Sequence, residues 1–206
     1  AYRAFAWVAV LFLMAQSASA QEPSADVRTS DTLAAIRQKG TLVVGVKTDY
    51  PPFGMLDAQG QGIGFEHDLA ADIARRLGVA LLKVSVTGAN RLQKLEEGSV
   101  DLVVATTGDT VERRRIATLI EANYYASGVT LFTPPDPKIW DWVDIRGKKV
   151  CVAQGSYFNR AMGQRYLLDL VTFNPPRDAR LGVRDGRCVG FLFDNTAIAA
   201  DLKQPQ

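Results

Sequence analysis

The chain has 206 residues, 47% hydrophobic and 22% charged, with a formal net charge of +2, a balance that suits one large globular domain or two small lobes. It carries no basic run interleaved with aromatics, which excludes the electrostatic footprint of a nucleic-acid binder. No long acidic or low-complexity tract marks it as disordered, and no solenoid repeat runs along it.

The first twenty residues are set aside as a targeting segment. Phe5 to Ala15 is an apolar run of signal-peptide length, preceded by Arg3 and followed by Ala18-Ser19-Ala20, an A-x-A motif that predicts cleavage after Ala20. The competing reading is a membrane anchor, which needs about 20 apolar residues, more than this run offers. No Cys follows the motif to carry a lipid. Residues 21–31 read as a flexible polar leader. A short helix is expected from about Asp31, as N-cap, to Lys39, with Gly40 as its stop.

Thr41 to Lys47 is a near-continuous apolar strand, the kind a parallel sheet covers on both faces. Pro51, Pro52 and the glycines at 54, 60, 62 and 64 predict a long loop. A helix over about Glu66–Leu77 follows, its stripe formed by Leu69, Ala70, Ile73 and Leu77. Strand Ala80–Val86, helix Asn90–Glu97 and strand Val100–Ala105 continue the alternation. In the second half, strands at Lys149–Ala153, Leu170–Phe173 and Cys188–Phe193 alternate with helices at about Ser156–Leu168, Pro176–Asp185 and Asn195–Leu202. Between the halves lie an apolar strand, Gly128–Phe132, and a proline cluster. The pattern predicts two α/β lobes joined near residues 124–136, each an open, mainly parallel sheet with flanking helices, and a ligand cleft at the carboxyl ends of the strands.

Four places at strand ends carry chemistry. Tyr50 and Phe53 are held by two prolines and can wall a small ligand; hydrophobic core is the competing reading, stronger for Phe53. After strand Val100–Ala105, Thr106, Gly108 and a helix start at Thr110 bring free N–H groups to an anion, and Arg113 adds a planar fork for a carboxylate. Arg114 and Arg115 read as solvated. Gln154-Gly155-Ser156-Tyr157 repeats the strand, glycine, hydroxyl, helix order. Asp194 either receives an ammonium group or N-caps the last helix; residue type alone leaves both open. A carboxylate clamp, an ammonium acceptor and aromatic walls suit a zwitterionic amino acid. Cys151 and Cys188, in an exported chain, form a disulfide or remain buried thiols, and the disulfide is favoured. The single histidine, His67, reads as solvated. No nucleophile, base and orienter converge, and no metal or cofactor site is expected.

The stretches LVVGVKTDYPPFG, GFEHDLAADIARRLGV, NRLQKLEEGSVDLVVATTGDTVERR, VAQGS and GRCVGFLFDN together resemble the bacterial periplasmic amino-acid-binding proteins of ABC importers, solute-binding family 3. The resemblance implies a type II periplasmic-binding-protein fold, with lobe 1 over residues 32–125 and the crossover and lobe 2 over 126–206. It implies that Arg113 binds the α-carboxylate and Asp194 the α-ammonium, with Tyr50 and Phe53 against the side chain and Thr106, Gly108 and Ser156 as hydrogen-bond partners. Asn90-Arg91 and the VERR stretch lean toward the glutamate/aspartate branch, where residues matching Lys47 and Arg91 meet a side-chain carboxylate. An inner-membrane ABC permease is the implied partner, the periplasm the implied location and a monomer the implied state.

Two departures stand out. The family's G-T-T turn reads Gly155-Ser156-Tyr157, so Tyr157 is expected to reshape the pocket. The usual return of the chain to lobe 1 after about residue 206 is missing from this sequence, so an incomplete first sheet is expected. Two other functions use the same fold: a dehydratase, for which Glu66 or Glu121 would serve as acid or base, and the sensing module of a receptor.

Overall fold

The computed structural model describes residues 25–136 and 138–203. The expected signal peptide lies outside them. Among the described residues no helix is long and apolar enough to cross a membrane.

The first helix, α1, spans Ala25–Lys39. It begins upstream of the expected start, and Asp31 is an exposed residue inside it rather than its cap. No Gly or Pro separates Ala25 from Lys39, so nothing in that stretch stops a helix from extending. Gly40 ends it with φ 71°.

Strand β1 (Thr41–Val46) is central in a three-stranded parallel sheet, between β5 (Ala80–Ser85) and β6 (Leu102–Val104). Leu42, Val44 and Val46 are buried against Ile36 of α1 and against Ala70 and Ala74 of α2 (Phe65–Leu77). Two buried faces explain why β1 reads as an unbroken apolar run. Helix α3 (Arg91–Glu96) crosses between β5 and β6.

The stretch expected as one long loop folds into a small antiparallel sheet of β2 (Asp49–Tyr50), β3 (Gly54–Leu56) and β4 (Gly62–Ile63). Its glycines serve close packing. A Cβ at Gly62 would stand 2.3 Å from His67 Cε1, so His67 fills the space that the missing side chain leaves. This corrects the solvated reading of His67: the ring is 4% exposed, and its Nε2 lies 2.8 Å from the Lys47 carbonyl oxygen.

The second sheet has the order β7-β10-β8-β9, with β7 (Val129–Phe132) antiparallel to β10 (Gly190–Asp194) and the rest parallel. Strands β8 (Lys149–Ala153) and β9 (Asp169–Phe173) are linked by α5 (Asn159–Tyr166), and α6 (Pro176–Arg184) leads on toward β10. Helix α7 (Asn195–Leu202) follows β10 directly. The two-lobed α/β architecture is as expected. Cys151 and Cys188 are joined as a disulfide; Cys151 lies on β8, while Cys188 sits just before β10 rather than on it.

Candidate functional site

The carboxyl ends of β1 and β6 face those of β8 and β10 across a seam where the lobes touch. Two glycines set the distance. A Cβ on Gly155, which has φ 79°, would stand 2.0 Å from the Gly88 carbonyl oxygen. Only a residue without a side chain lets the turn after β8 come this close to lobe 1.

Arg113 lies in a single-turn helix, α4 (Val111–Arg114), capped by the Thr110 hydroxyl, which accepts from the Arg113 N–H at 3.2 Å. Its guanidinium is half-buried at the seam. Nη1 donates to Gly108 O at 2.8 Å and Nη2 to Gly155 O on the other lobe, also at 2.8 Å. Arg114, by contrast, is exposed and paired with Asp109 at 2.8 Å. The expected separation of these neighbours is therefore visible: one arginine reaches the seam and the other does not.

Arg91 is buried, and its fork is committed to carbonyl oxygens: Ala105 at 2.6 Å, Thr106 at 3.1 Å and Gly155 at 3.0 Å. Burial, and then the neighbouring Arg113 charge, push its pKa down to about 10. Lys47 is also buried. Its ammonium pairs with Asp49 at 3.2 Å and stands 4.6 Å over the Tyr50 ring. Burial lowers the Lys47 pKa, against the pull of Asp49.

Thr106 has φ 47°, a left-handed conformation that a β-branched residue rarely adopts. Its neighbours hold it there. Its N–H donates to Glu66 Oε1 and to the Tyr124 hydroxyl at 3.2 Å, and its carbonyl accepts from Arg91. Tyr124 also donates to Glu66 Oε1, at 2.6 Å. Glu66 has no exposed surface, and Oε2 is buried without a hydrogen-bond partner. Burial raises its pKa; Tyr124, Thr106, Lys47 and Arg91 act in the opposite direction.

Asp194 shows that capping and cleft position coexist. Its Oδ1 accepts from the Thr196 N–H at 2.9 Å, the Ala197 N–H at 3.4 Å and the Thr196 hydroxyl, which caps α7. Ser127 donates its hydroxyl to Oδ2. Burial, followed by the Asp194 charge, raises the Tyr50 pKa. Tyr50 lies 5.2 Å from Phe193 and Phe53 lies 4.4 Å from Tyr125, ring to ring. Both aromatics are buried with the core of the second lobe, although they belong to the first.

Of the other expected residues, Gly108 lies under Tyr157: a Cβ there would meet the ring at 2.5 Å. The departure at position 157 thus covers the floor of the cleft. Ser156 is half-buried in the turn, its N–H donating to Ala153 O at 3.4 Å. The residues that sequence reasoning missed are Tyr124, Tyr125 and Ser127, together with Glu66, which it considered only as a catalytic acid. Their signal was faint: a tyrosine pair at the joint between the lobes, and a carboxylate opening a helix at the cleft. Among the described residues no group of three or more His, Cys, Asp or Glu gathers as a metal site.

Residues 42–203 match the bacterial extracellular solute-binding proteins, family 3. The chain is 24% identical to the glutamate/aspartate import solute-binding protein of Escherichia coli K12, over 94% of this chain and 68% of that protein. It is 34% identical to an ABC transporter glutamine-binding protein of Bacillus subtilis 168, over 61% of this chain and 48% of that protein, so it spans only about half of that relative. Among solved structures, an ancestral amino acid-binding protein described as a precursor of cyclohexadienyl dehydratase superposes with a TM-score of 0.77 at 31% identity, covering 84% of this chain and 78% of the other.

Proposed function

The chain belongs to the bacterial extracellular solute-binding proteins, family 3, and from that premise we propose that it captures a polar L-amino acid between its lobes and delivers it to an inner-membrane ABC importer. The observation that carries this reading is the position of Arg113. Its guanidinium already bridges the lobes through Gly108 and Gly155 carbonyls. A ligand carboxylate at the same place would replace two neutral carbonyl acceptors with one ionised, bidentate partner that matches the planar fork. Asp194 takes the α-ammonium: the Ser127 hydroxyl that now reaches it can rotate away, while the fixed N–H groups of α7 keep it in place. Tyr50 and Phe53 wall the side chain, Thr106, Gly108 and Ser156 supply the polar floor, and Lys47 and Arg91 line the side-chain end. Export to the periplasm with cleavage after Ala20, and action as a monomer, belong to the same reading.

The relatives above are binding proteins, and one of them is a precursor of a dehydratase. We read this chain as a binder. Glu121 is exposed, and Glu66 Oε1 already accepts from a backbone N–H and a tyrosine. The test is a thermal-shift screen against the amino acids. A ligand at about 100 times its Kd raises stability by ~2.7 kcal/mol. Stabilisation by one or a few polar L-amino acids is expected; no stabilisation by any of them overturns the reading.

A further inference from the structure

The side-chain end of the cleft is electrically complete before any ligand arrives. Arg113 and Asp194 are reserved for the α-groups. What remains is two cations, Lys47 and Arg91, and two anions, Asp49 and Glu66. Lys47 is paired with Asp49 at 3.2 Å. Arg91 is engaged by three carbonyl oxygens and feels the Glu66 charge. Lys47 is thus held by Asp49, and Arg91 keeps a single buried N–H, Nε, without a partner, too few donors for the two-cation grip on a side-chain carboxylate that the family resemblance implies.

Beside that one donor, an acceptor is left open, and a carboxamide can answer both. Glu66 is fully buried; Oε1 takes the Thr106 N–H and the Tyr124 hydroxyl, while Oε2 has no partner. Its charge is felt by Tyr50 and Tyr125, the rings that also feel Asp194. Tyr124 binds Glu66, and its ring lies 5.4 Å from that of Tyr125, so the carboxylate adjoins the aromatic wall. A buried acceptor without a donor is costly and is satisfied by a ligand that brings one. A ligand carboxylate would instead place a second negative charge beside it in a desolvated site.

We infer that Glu66 is a specificity-determining residue and that the cleft selects an amino acid whose side chain is neutral and donates a hydrogen bond, a carboxamide, over one ending in a carboxylate. The inference rests on the amino-acid-binding reading above. L-Glutamine and L-glutamate are the matched probes, equal in shape and different in charge. In calorimetric titrations of the whole chain at pH 7, glutamine is expected to bind at least tenfold tighter than glutamate. Glu66→Gln keeps an acceptor for Thr106 and Tyr124 but removes the charge, and should narrow that ratio to under threefold. Should that variant fail to fold, Glu66→Asp, which withdraws the carboxylate by one methylene, should weaken glutamine at least fivefold. Glutamate binding as tightly as glutamine, or an unchanged ratio in Glu66→Gln, overturns the inference and leaves amino-acid binding intact. If no amino acid binds at all, both readings fall.

Discussion

Glu66 joins the stability of the cleft to pH. Burial is the largest influence on its carboxyl and raises the pKa above the ordinary 4.5. The unfolded chain releases this proton near pH 4.5, whereas the folded chain holds it to a higher pH. Stability from this group is therefore fully present below about pH 4.5 and is lost as pH rises through the folded value. Glu66→Gln resembles the protonated form at every pH. It should melt above the parent at pH 7, and the gap should close at pH 4; a gap that widens on acidification contradicts the burial argument. Arg113 gives the second prediction at this scale. Charge-assisted hydrogen bonds are worth ~1.5–3 kcal/mol each, so Arg113→Ala should weaken ligand binding at least tenfold. Arg113→Lys should not restore it, because an ammonium cannot span Gly108 and Gly155 with one planar fork. Arg114→Ala, at an exposed residue paired with Asp109, should change binding less than twofold. Calorimetric titration of the three variants separates these outcomes. Arg113 was legible in the sequence because a helix start after a strand is a local pattern. His67 was not, because its burial depends on the absence of a side chain at Gly62, five residues away.

At the scale of elements, the β-α alternation was legible where parallel strands are buried and so keep an apolar run. Strands β1 and β8 begin where the runs do and are largely buried, while β5 at the sheet edge starts at its expected residue although it stays partly exposed. The sheet of β2, β3 and β4 was not legible: strands of two and three residues carry no period to read. Nor was the early start of α1, since Asp31 has the chemistry of a cap and the fold does not use it as one. The turn after β8 carries the prediction here. Gly155 accepts from both Arg91 and Arg113, and its φ of 79° and its contact with Gly88 leave no room for a methyl group. In Gly155→Ala the left-handed backbone alone costs roughly 1–2 kcal/mol. The Cβ clash arises only when the lobes meet, so the open form should remain folded. Small-angle scattering should then show that saturating ligand no longer contracts the variant as it contracts the parent, with affinity at least tenfold lower. Contraction equal to the parent's would place the closing contact elsewhere.

For the whole molecule, the division into two sheets followed from the chain order of strands, but how the lobes meet did not. The seam is made by contacts such as Arg91 with Gly155 and Tyr50 with Phe193, far apart in sequence and carried by residues whose local setting is ordinary. The disulfide was legible from two cysteines in strand-like runs of a chain read as exported, and it bears on the second lobe as a unit. It joins β8 to the segment entering β10 across 37 residues, and so restrains the unfolded chain around α5, β9 and α6. In the loop-entropy account, closing a loop of that length contributes about 4 kcal/mol. In a chain of this size 1 kcal/mol moves the melting temperature by ~2–4 °C, so reduction should lower it by roughly 8–16 °C. Gly182 faces Cys151, and a Cβ there would stand 3.0 Å from the Sγ. The sulfur packs directly on this glycine, so reduction should destabilise the lobe by the loss of the bridge, without unfolding it at room temperature. The cleft residues Arg113, Asp194 and Tyr50 are not bonded to either cysteine, and the reduced protein should retain its ligand at 25 °C. Melting curves with and without a phosphine reductant, paired with a titration of the reduced sample, measure both effects. A shift under 2 °C would show that the reduced, unfolded lobe is already as restricted as the bridged one, and loss of binding with little loss of stability would mean that the bridge positions the cleft itself.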